Sequence, residues 1–284
     1  MEHYNLGANL FFLISFALLV PFQTYYGIRY KTWGFMFSML CSLILEILGY
    51  TGRIGLHYGK DMFLMYIITL TIGPAFLSAA VYLCLARIIV IYGEYLARFK
   101  PVVYTATFML FDLFALLLQS AGGALVGGDD PTFWDTGLRI LQAGLSVHLV
   151  GITIYVILCA DFAFSAYRER DEWRTDFKSF RSSKQFKAFC IALGLATLAI
   201  LIRTAFRVAE LSQGFDSEIS ENEPVFLVLD GTMILCASLL LTLLHPGHVF
   251  LEYWAKAEFD VRTGKRKGSR ERGVELGSIA SQVS

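Results

Sequence analysis

Charged side chains are scarce in this sequence: Asp, Glu, Lys and Arg make up 17% of its 284 residues, against 56% hydrophobic residues. A water-soluble domain of that size needs more polar surface than this to cover its outside, so a soluble globular fold is excluded. Extended polar stretches are also few, because the charges sit in blocks between long apolar runs, and mean hydropathy is +0.56. The five cysteines all fall inside apolar runs, which argues for small buried hydrophobes rather than paired ectodomain disulfides. No Asn-x-Ser/Thr acceptor occurs. The basic clusters are short and lie beside apolar runs, so nucleic acid is not an expected partner.

Signatures of catalysis are missing as well. There is no Gly-x-Ser-x-Gly elbow, no phosphate-binding P-loop and no dinucleotide fingerprint, so ATP hydrolysis by this chain is not expected. The histidines are His3, His57, His148, His245 and His248. His148 falls in the outer half of one apolar run and His245 and His248 at the inner end of another, and Pro246-Gly247 breaks their helical spacing. Neither a zinc site nor any other cofactor is expected, and the chain does not read as an enzyme.

What is present is a series of apolar runs long enough to cross a bilayer, which takes roughly 20 residues each. They cover residues 7–28, 34–57, 64–91, 101–126, 137–166, 187–209 and 224–250. The first lacks a basic leader and a small-residue cleavage site before Arg29, so it reads as a retained helix rather than a signal peptide. The fold class expected is therefore all-α: a polytopic seven-transmembrane-helix bundle over residues 1–255, followed by a disordered basic tail over 256–284. Pro101 and Pro224 suit helix starts, while Pro21 and Pro74 lie inside spans. Gly55 with Gly59 and Gly123 with Gly127 mark close helix packing.

Direction follows from the basic residues. Eighteen Lys and Arg fall in the connections on one side, at 29–31, 98–100, 168–187 and 256–272, and only Lys60 on the other. Basic loops stay in the cytoplasm, so the N-terminus is expected outside and the C-terminus inside. The outer connections are acidic, with Asp129, Asp130, Asp135, Glu210, Asp216, Glu218, Glu221 and Glu223. Trp173, Phe177 and Phe180 recur at helical spacing among basic residues, which predicts a helix lying on the anionic cytoplasmic leaflet.

Ionisable residues within spans cost about 2.5–3.5 kcal/mol each even on lenient insertion scales. Here they recur at seven-residue intervals, which places each set on one helix face. Glu46, Tyr50 and Arg53 share a face of span two, and Asp112 and Gln119 a face of span four. Arg203, Arg207 and Glu210 lie on span six, and Glu223 and Asp230 on span seven. With His148, these residues form an expected polar layer from the midplane outward, with acids in excess over arginines. Such a layer suits a cationic or zwitterionic ligand, or alternatively a purely structural ion-pair network. Arg87 and Asp161, near the inner ends of their spans, need only snorkelling or local pairing.

The run Glu46-Ile-Leu-Gly49-Tyr50-Thr-Gly-Arg53 resembles the second-helix motif of the fungal RTA-like family of lipid-translocating exporters and aminocholesterol-resistance proteins. The resemblance continues through Pro74-Ala-Phe-Leu-Ser-Ala79-Ala-Val-Tyr82 and Asp112 with Gln119-Ser-Ala-Gly122-Gly123. It extends to Arg203-Thr-Ala-Phe206-Arg207-Val-Ala-Glu210 with Gly214, to Glu223 and Asp230, and to His245-Pro246-Gly247. It implies seven helices, a fungal plasma-membrane location, and movement of sphingoid long-chain bases or other amphiphiles with resistance to toxic lipids and drugs. Two departures touch the polar layer. His148 stands where members of the family carry Gln, and Phe226-Leu-Val-Leu-Asp230 lacks the Tyr common before the Asp.

The function expected is thus a translocase of amine or zwitterionic amphiphiles, with membrane lipids as partners. The alternative is a lipid sensor signalling to the cytoplasm. Ordinary receptor kinship is weakened because Ala86-Arg87-Ile88 stands where an Asp-Arg-Tyr would be, and no Asn-Pro-x-x-Tyr occurs on span seven.

Overall fold

The computed structural model describes residues 5–128, 131–169, 173, 177–213, 223–251 and 254. Among them, seven helices are long and apolar enough to cross a membrane. These are α1 (Leu6–Arg29), α2 (Trp33–His57), α3 (Phe63–Tyr92), α4 (Pro101–Val126), α5 (Trp134–Arg168), α7 (Lys184–Gln213) and α8 (Glu223–Phe250), with a short α6 (Lys178–Ser182) before α7. Their bounds lie within a few residues of the apolar runs. The expected features at Asp129, Asp130, Gly214, Asp216, Glu218, Glu221 and the tail from 256 lie outside the described residues.

Local chemistry sets the ends. The Asn5 side chain caps α1 by accepting from the Ala8 N–H at 3.1 Å. Pro101 opens α4 at its first turn, where a missing N–H costs nothing. Gly59 ends α2 with φ +73°, and the Lys60 N–H returns to the Gly55 carbonyl at 3.0 Å, the hydrogen bond of a Schellman turn. In α8 the helix widens to a π-helical turn over Leu227–Thr232, resumes as α-helix over Met233–Leu243, and breaks at His245 before Pro246 starts a final turn. The π turn was not apparent from the sequence.

The connections at 30–32 and 93–100 and the end of α5 with the start of α7 share one end of the bundle, called here the basic end; the connection at 58–62, the end of α4 with the start of α5, and the end of α7 with the start of α8 share the other, the acidic end. α3 is the central helix: 78% of its most apolar window is buried, against 28% for α1. It packs against α2, α4, α5 and α7. α4 and α5 approach most closely where glycines remove the side chain. A methyl group at Gly122 would sit 2.7 Å from the Gly137 carbonyl oxygen, and one at Gly144 would sit 2.8 Å from that of Ala115. Gly123 and Gly127, singled out from sequence, turn the other way and face Ile68 and Leu64 of α3.

Of the segment expected to lie on the leaflet, the described residues Phe177, Phe180 and Arg181 fold into the bundle instead. Phe177 and Phe180 are buried, and Phe180 packs on Phe186 and Phe250 with ring centroids 4.8 and 5.5 Å apart. Arg181 is buried and donates to the Ile91 carbonyl at 2.9 Å. The described helix, α6, begins only after Phe177, and the Phe177 and Phe180 rings are buried at the basic ends of α7 and α8, where they lose more water-exposed area than on a lipid surface. Arg87 stacks over Trp254 at 3.6 Å, and Asp161 is held by Arg98 through two hydrogen bonds of 2.6 and 2.8 Å. Both pairings match the local role expected of them.

Candidate functional site

The helix faces carrying the ionisable residues do turn inward, but they meet in two groups. The larger lies among α1, α2, α3, α7 and α8 in the acidic half. Its centre is Asp230, on the π turn of α8, with no exposed surface. The Arg203 Nε lies 2.8 Å from its Oδ1, and the Arg207 Nε lies 3.7 Å from the same atom. Arg203 also donates to the Leu70 carbonyl on α3. Arg207 donates to Glu210 Oε2 at 2.6 Å and to the Thr71 hydroxyl at 3.1 Å. Both guanidinium groups are wholly buried, so each needs these acceptors to offset lost hydration. A widened turn presents one more residue per revolution, and here it brings Asp230 to face both arginines.

Glu46 on α2 belongs to the same group and is wholly buried. It lies in the field of Arg203, Arg207 and Asp230. Yet both of its carboxylate oxygens lack a hydrogen-bond donor among the described residues. The helix α3 makes room for it: a methyl group at Gly73 would sit 3.0 Å from Glu46 Oε1. One turn toward the acidic end, Tyr50 is stacked on Phe12 and Phe16 at 5.1 and 5.8 Å, with its hydroxyl against Gly231. Any side chain at 231 would strike that hydroxyl, which is why the π turn carries glycine there.

Nearer the acidic surface, Arg53 closes the group. Its Nε donates to Asn9 Oδ1 at 2.7 Å and its Nη2 lies 3.3 Å from Glu223 Oε1, while the guanidinium sits 4.1 Å above the Phe226 ring. Glu223 also accepts from the Asn5 N–H at 2.7 Å, tying the start of α1 to the start of α8.

The second group lies between α4 and α5. Asp112 Oδ1 and His148 Nδ1 are 2.8 Å apart, both buried. Gln119, seven residues along α4, is buried beside Gly144 with both amide atoms lacking partners among the described residues. His148 Nε2 and Asp112 Oδ2 are likewise without partners among them. In the expected single layer, Asp112, Gln119 and His148 would have joined Glu46 and Asp230; α3 separates them, and no described ion pair links the two groups.

Sequence reasoning did not find Asn9 and Thr71. Asn9 carried a readable signal, since it stands on the same face of α1 as Phe12, Phe16 and Gln23, all buried. Thr71 carried none, because a threonine in a span satisfies itself by bonding back to its own helix, as Thr71 does to Ile67 at 2.6 Å. Among the described residues no three His, Cys, Asp or Glu side chains stand close enough together to hold a metal ion.

Comparison with known proteins gives this architecture its context. The chain is 30% identical over 278 residues to the sphingoid long-chain base transporter RSB1 of Saccharomyces cerevisiae, covering 87% of this chain and 72% of that protein. It is 25% identical over 214 residues to protein RTM1 of the same species, covering 74% of this chain and 67% of that one. It is 24% identical over 227 residues to the lipid-translocating exporter-like protein RTA1 of Ajellomyces capsulatus, covering 77% and 70%. No solved structure matches. Residues 39–253 match the family described as RTA1 like protein, a stretch that holds every ionisable residue of the two groups, and the chain belongs to that family.

Proposed function

We propose that this protein moves amphiphilic lipids with an amine or zwitterionic head, of which sphingoid long-chain bases are the leading candidates, and so contributes to resistance to toxic lipids and drugs. The names of its relatives support lipid transport in general. The observation that carries the finer reading is Glu46, a wholly buried carboxylate at the centre of the bundle that accepts no hydrogen bond from a described residue. A carboxylate taken out of water needs a donor, and an ammonium head entering the group supplies one. Asp230, Glu210 and Glu223 are occupied by arginines, so Glu46 is the acid left to receive a ligand.

In this reading Tyr50, Arg53, Arg203, Arg207, Glu210, Glu223 and Asp230 shape and hold the site around Glu46. Asp112, Gln119 and His148 form a second polar station between α4 and α5. The basic end faces the cytoplasm, the N-terminus lies outside, and the basic connections with the tail are drawn to the anionic leaflet of a fungal plasma membrane. The protein carries lipid without chemical conversion and without a cofactor.

The test is made in cells lacking their own long-chain base exporter. Expression of wild type should restore growth on added long-chain base, and Glu46→Gln should not, at equal surface amounts. Restored growth with Glu46→Gln would remove the amine-binding role. A ligand-dependent cytosolic response without altered lipid efflux would favour the sensor instead.

A further inference from the structure

Apart from the polar groups, a cavity of about 680 Å³ opens between α3, α5 and α7 in the basic half of the bundle. Its walls are almost entirely apolar: Leu85 and Ile88 on α3, Cys159 and Ala163 on α5, Cys190 and Leu198 on α7. Its mouth lies between α5 and α7, flanked by side chains that face outward, among them Ile191 at 65% and Leu195 at 51% exposure. These belong to membrane-spanning helices, so the mouth faces lipid rather than water.

Its dimensions match one leaflet. The α5 wall runs from Tyr155 to Tyr167, which at the rise of an α-helix is about 18 Å. The hydrocarbon of a single leaflet is about 15 Å deep. The inner end is closed by Tyr155, whose ring packs on Tyr82 at 4.6 Å. The outer end is rimmed by Tyr92 and Trp173, 5.1 Å apart, with the buried Arg181 guanidinium 5.2 Å from the Trp173 ring. Amphipathic aromatics of this kind sit at the level of lipid headgroups. Gly194 on α7 completes the wall, and a methyl group built there meets no atom within 4 Å.

We infer that this cavity is a binding site for the alkyl chain of one amphiphile drawn sideways from the leaflet at the basic end. The chain end lies against Tyr155 and the head at the Tyr92–Trp173 rim. The occupant keeps the orientation it has in the leaflet, so entry needs no inversion. A protein partner is disfavoured because the mouth is apolar and lies at membrane depth. This inference rests on the lipid-carrier reading for the identity of the amphiphile, but not on Glu46, which lies in the opposite half.

The experiment uses the full chain in phosphatidylcholine vesicles with a sphingoid base carrying a photoactivatable diazirine near its chain end. Adducts are mapped by mass spectrometry. Wild type should be labelled at Tyr155, Cys159 and Leu198. Gly194→Trp and Ala163→Trp fill the cavity from opposite walls, and each should lower the yield of cavity adducts severalfold by removing the space the chain packs into. Leu117→Trp, on the lipid face of α4 at 62% exposure, should label like wild type and controls for insertion of a large ring. Because labelling requires no lipid movement, cavity adducts in a protein that moves no lipid would leave the site standing and remove only the transport reading. Adducts scattered over the outer faces of α1 and α4, with equal yield in folded Gly194→Trp and Ala163→Trp, would overturn the inference.

Discussion

Asp230 on α8 and Arg203 on α7 stand 2.8 Å apart, and neither side chain has any exposed surface. Two full charges in that position are tolerable only together. Asp230→Ala leaves Arg203 and Arg207 short of their shared acceptor, and breaking a buried pair in this way costs about 3–5 kcal/mol. We expect a markedly lower thermal midpoint in detergent for Asp230→Ala, and a smaller loss for Asp230→Asn, which keeps an oxygen facing Arg203. Equal midpoints for Asp230→Ala and wild type would show that the pair contributes nothing to stability.

Glu46 should behave in the opposite way. It lacks a donor among the described residues, so Glu46→Gln replaces a buried acid that no described neighbour satisfies while keeping the volume. The thermal midpoint should be unchanged or higher. If an ammonium head binds there, losing a charge-assisted hydrogen bond of about 1.5–3 kcal/mol lowers affinity for a long-chain base roughly tenfold to a hundredfold. Stability and binding measured on one preparation distinguish a ligand site from a structural network, since a network residue would lose stability first.

The seven spans were legible because hydropathy reports burial in lipid directly, and helix bounds follow from where it ends. The inward faces were legible too, because residues seven apart share a face. What spacing cannot give is azimuth: it places Asp112 and Glu46 each on an inward face but does not say that α3 stands between them. Nor could it tell that Phe177 and Phe180 are buried in the bundle, since aromatic spacing alone reads the same for a surface helix and a buried segment. The π turn at Asp230 has no composition signal at all, and Asn9 was passed over although its helical spacing to Phe12 and Phe16 pointed inward.

Two glycines should respond with opposite signs. Gly122 faces the backbone of α5, so Gly122→Ala forces α4 and α5 apart and should cost about 1–3 kcal/mol. Gly194 faces open space, so Gly194→Ala removes a flexible residue from a helix and should gain up to about 1 kcal/mol. Thermal unfolding of both variants side by side checks the α4–α5 interface and the cavity wall together.

His148 supports Asp112 through a single 2.8 Å contact. His148→Gln keeps a donor within reach and should fold like wild type. His148→Ala strands the carboxylate and should cost about 1–3 kcal/mol, read as a lower thermal midpoint. Identical midpoints for the two variants would place the support of Asp112 elsewhere.

The sidedness proposed for the bundle has its own check. Lys60→Cys, in the exposed connection after α2, should react with a membrane-impermeant maleimide on intact cells, in a background lacking the five native cysteines. A cysteine at Lys100 should react only after the cells are opened. The reverse pattern would invert the topology.

The central claim is that the buried acid at the heart of the bundle receives a cationic lipid head during transport. The most direct measurement is lipid movement in proteoliposomes, comparing wild type and Glu46→Gln with a fluorescent sphingoid base and a labelled neutral amphiphile of equal chain length. The account predicts that wild type moves the amine faster than the neutral compound and that Glu46→Gln abolishes that preference while remaining folded. Equal movement of both compounds by wild type, or an amine preference that survives in Glu46→Gln, would contradict it.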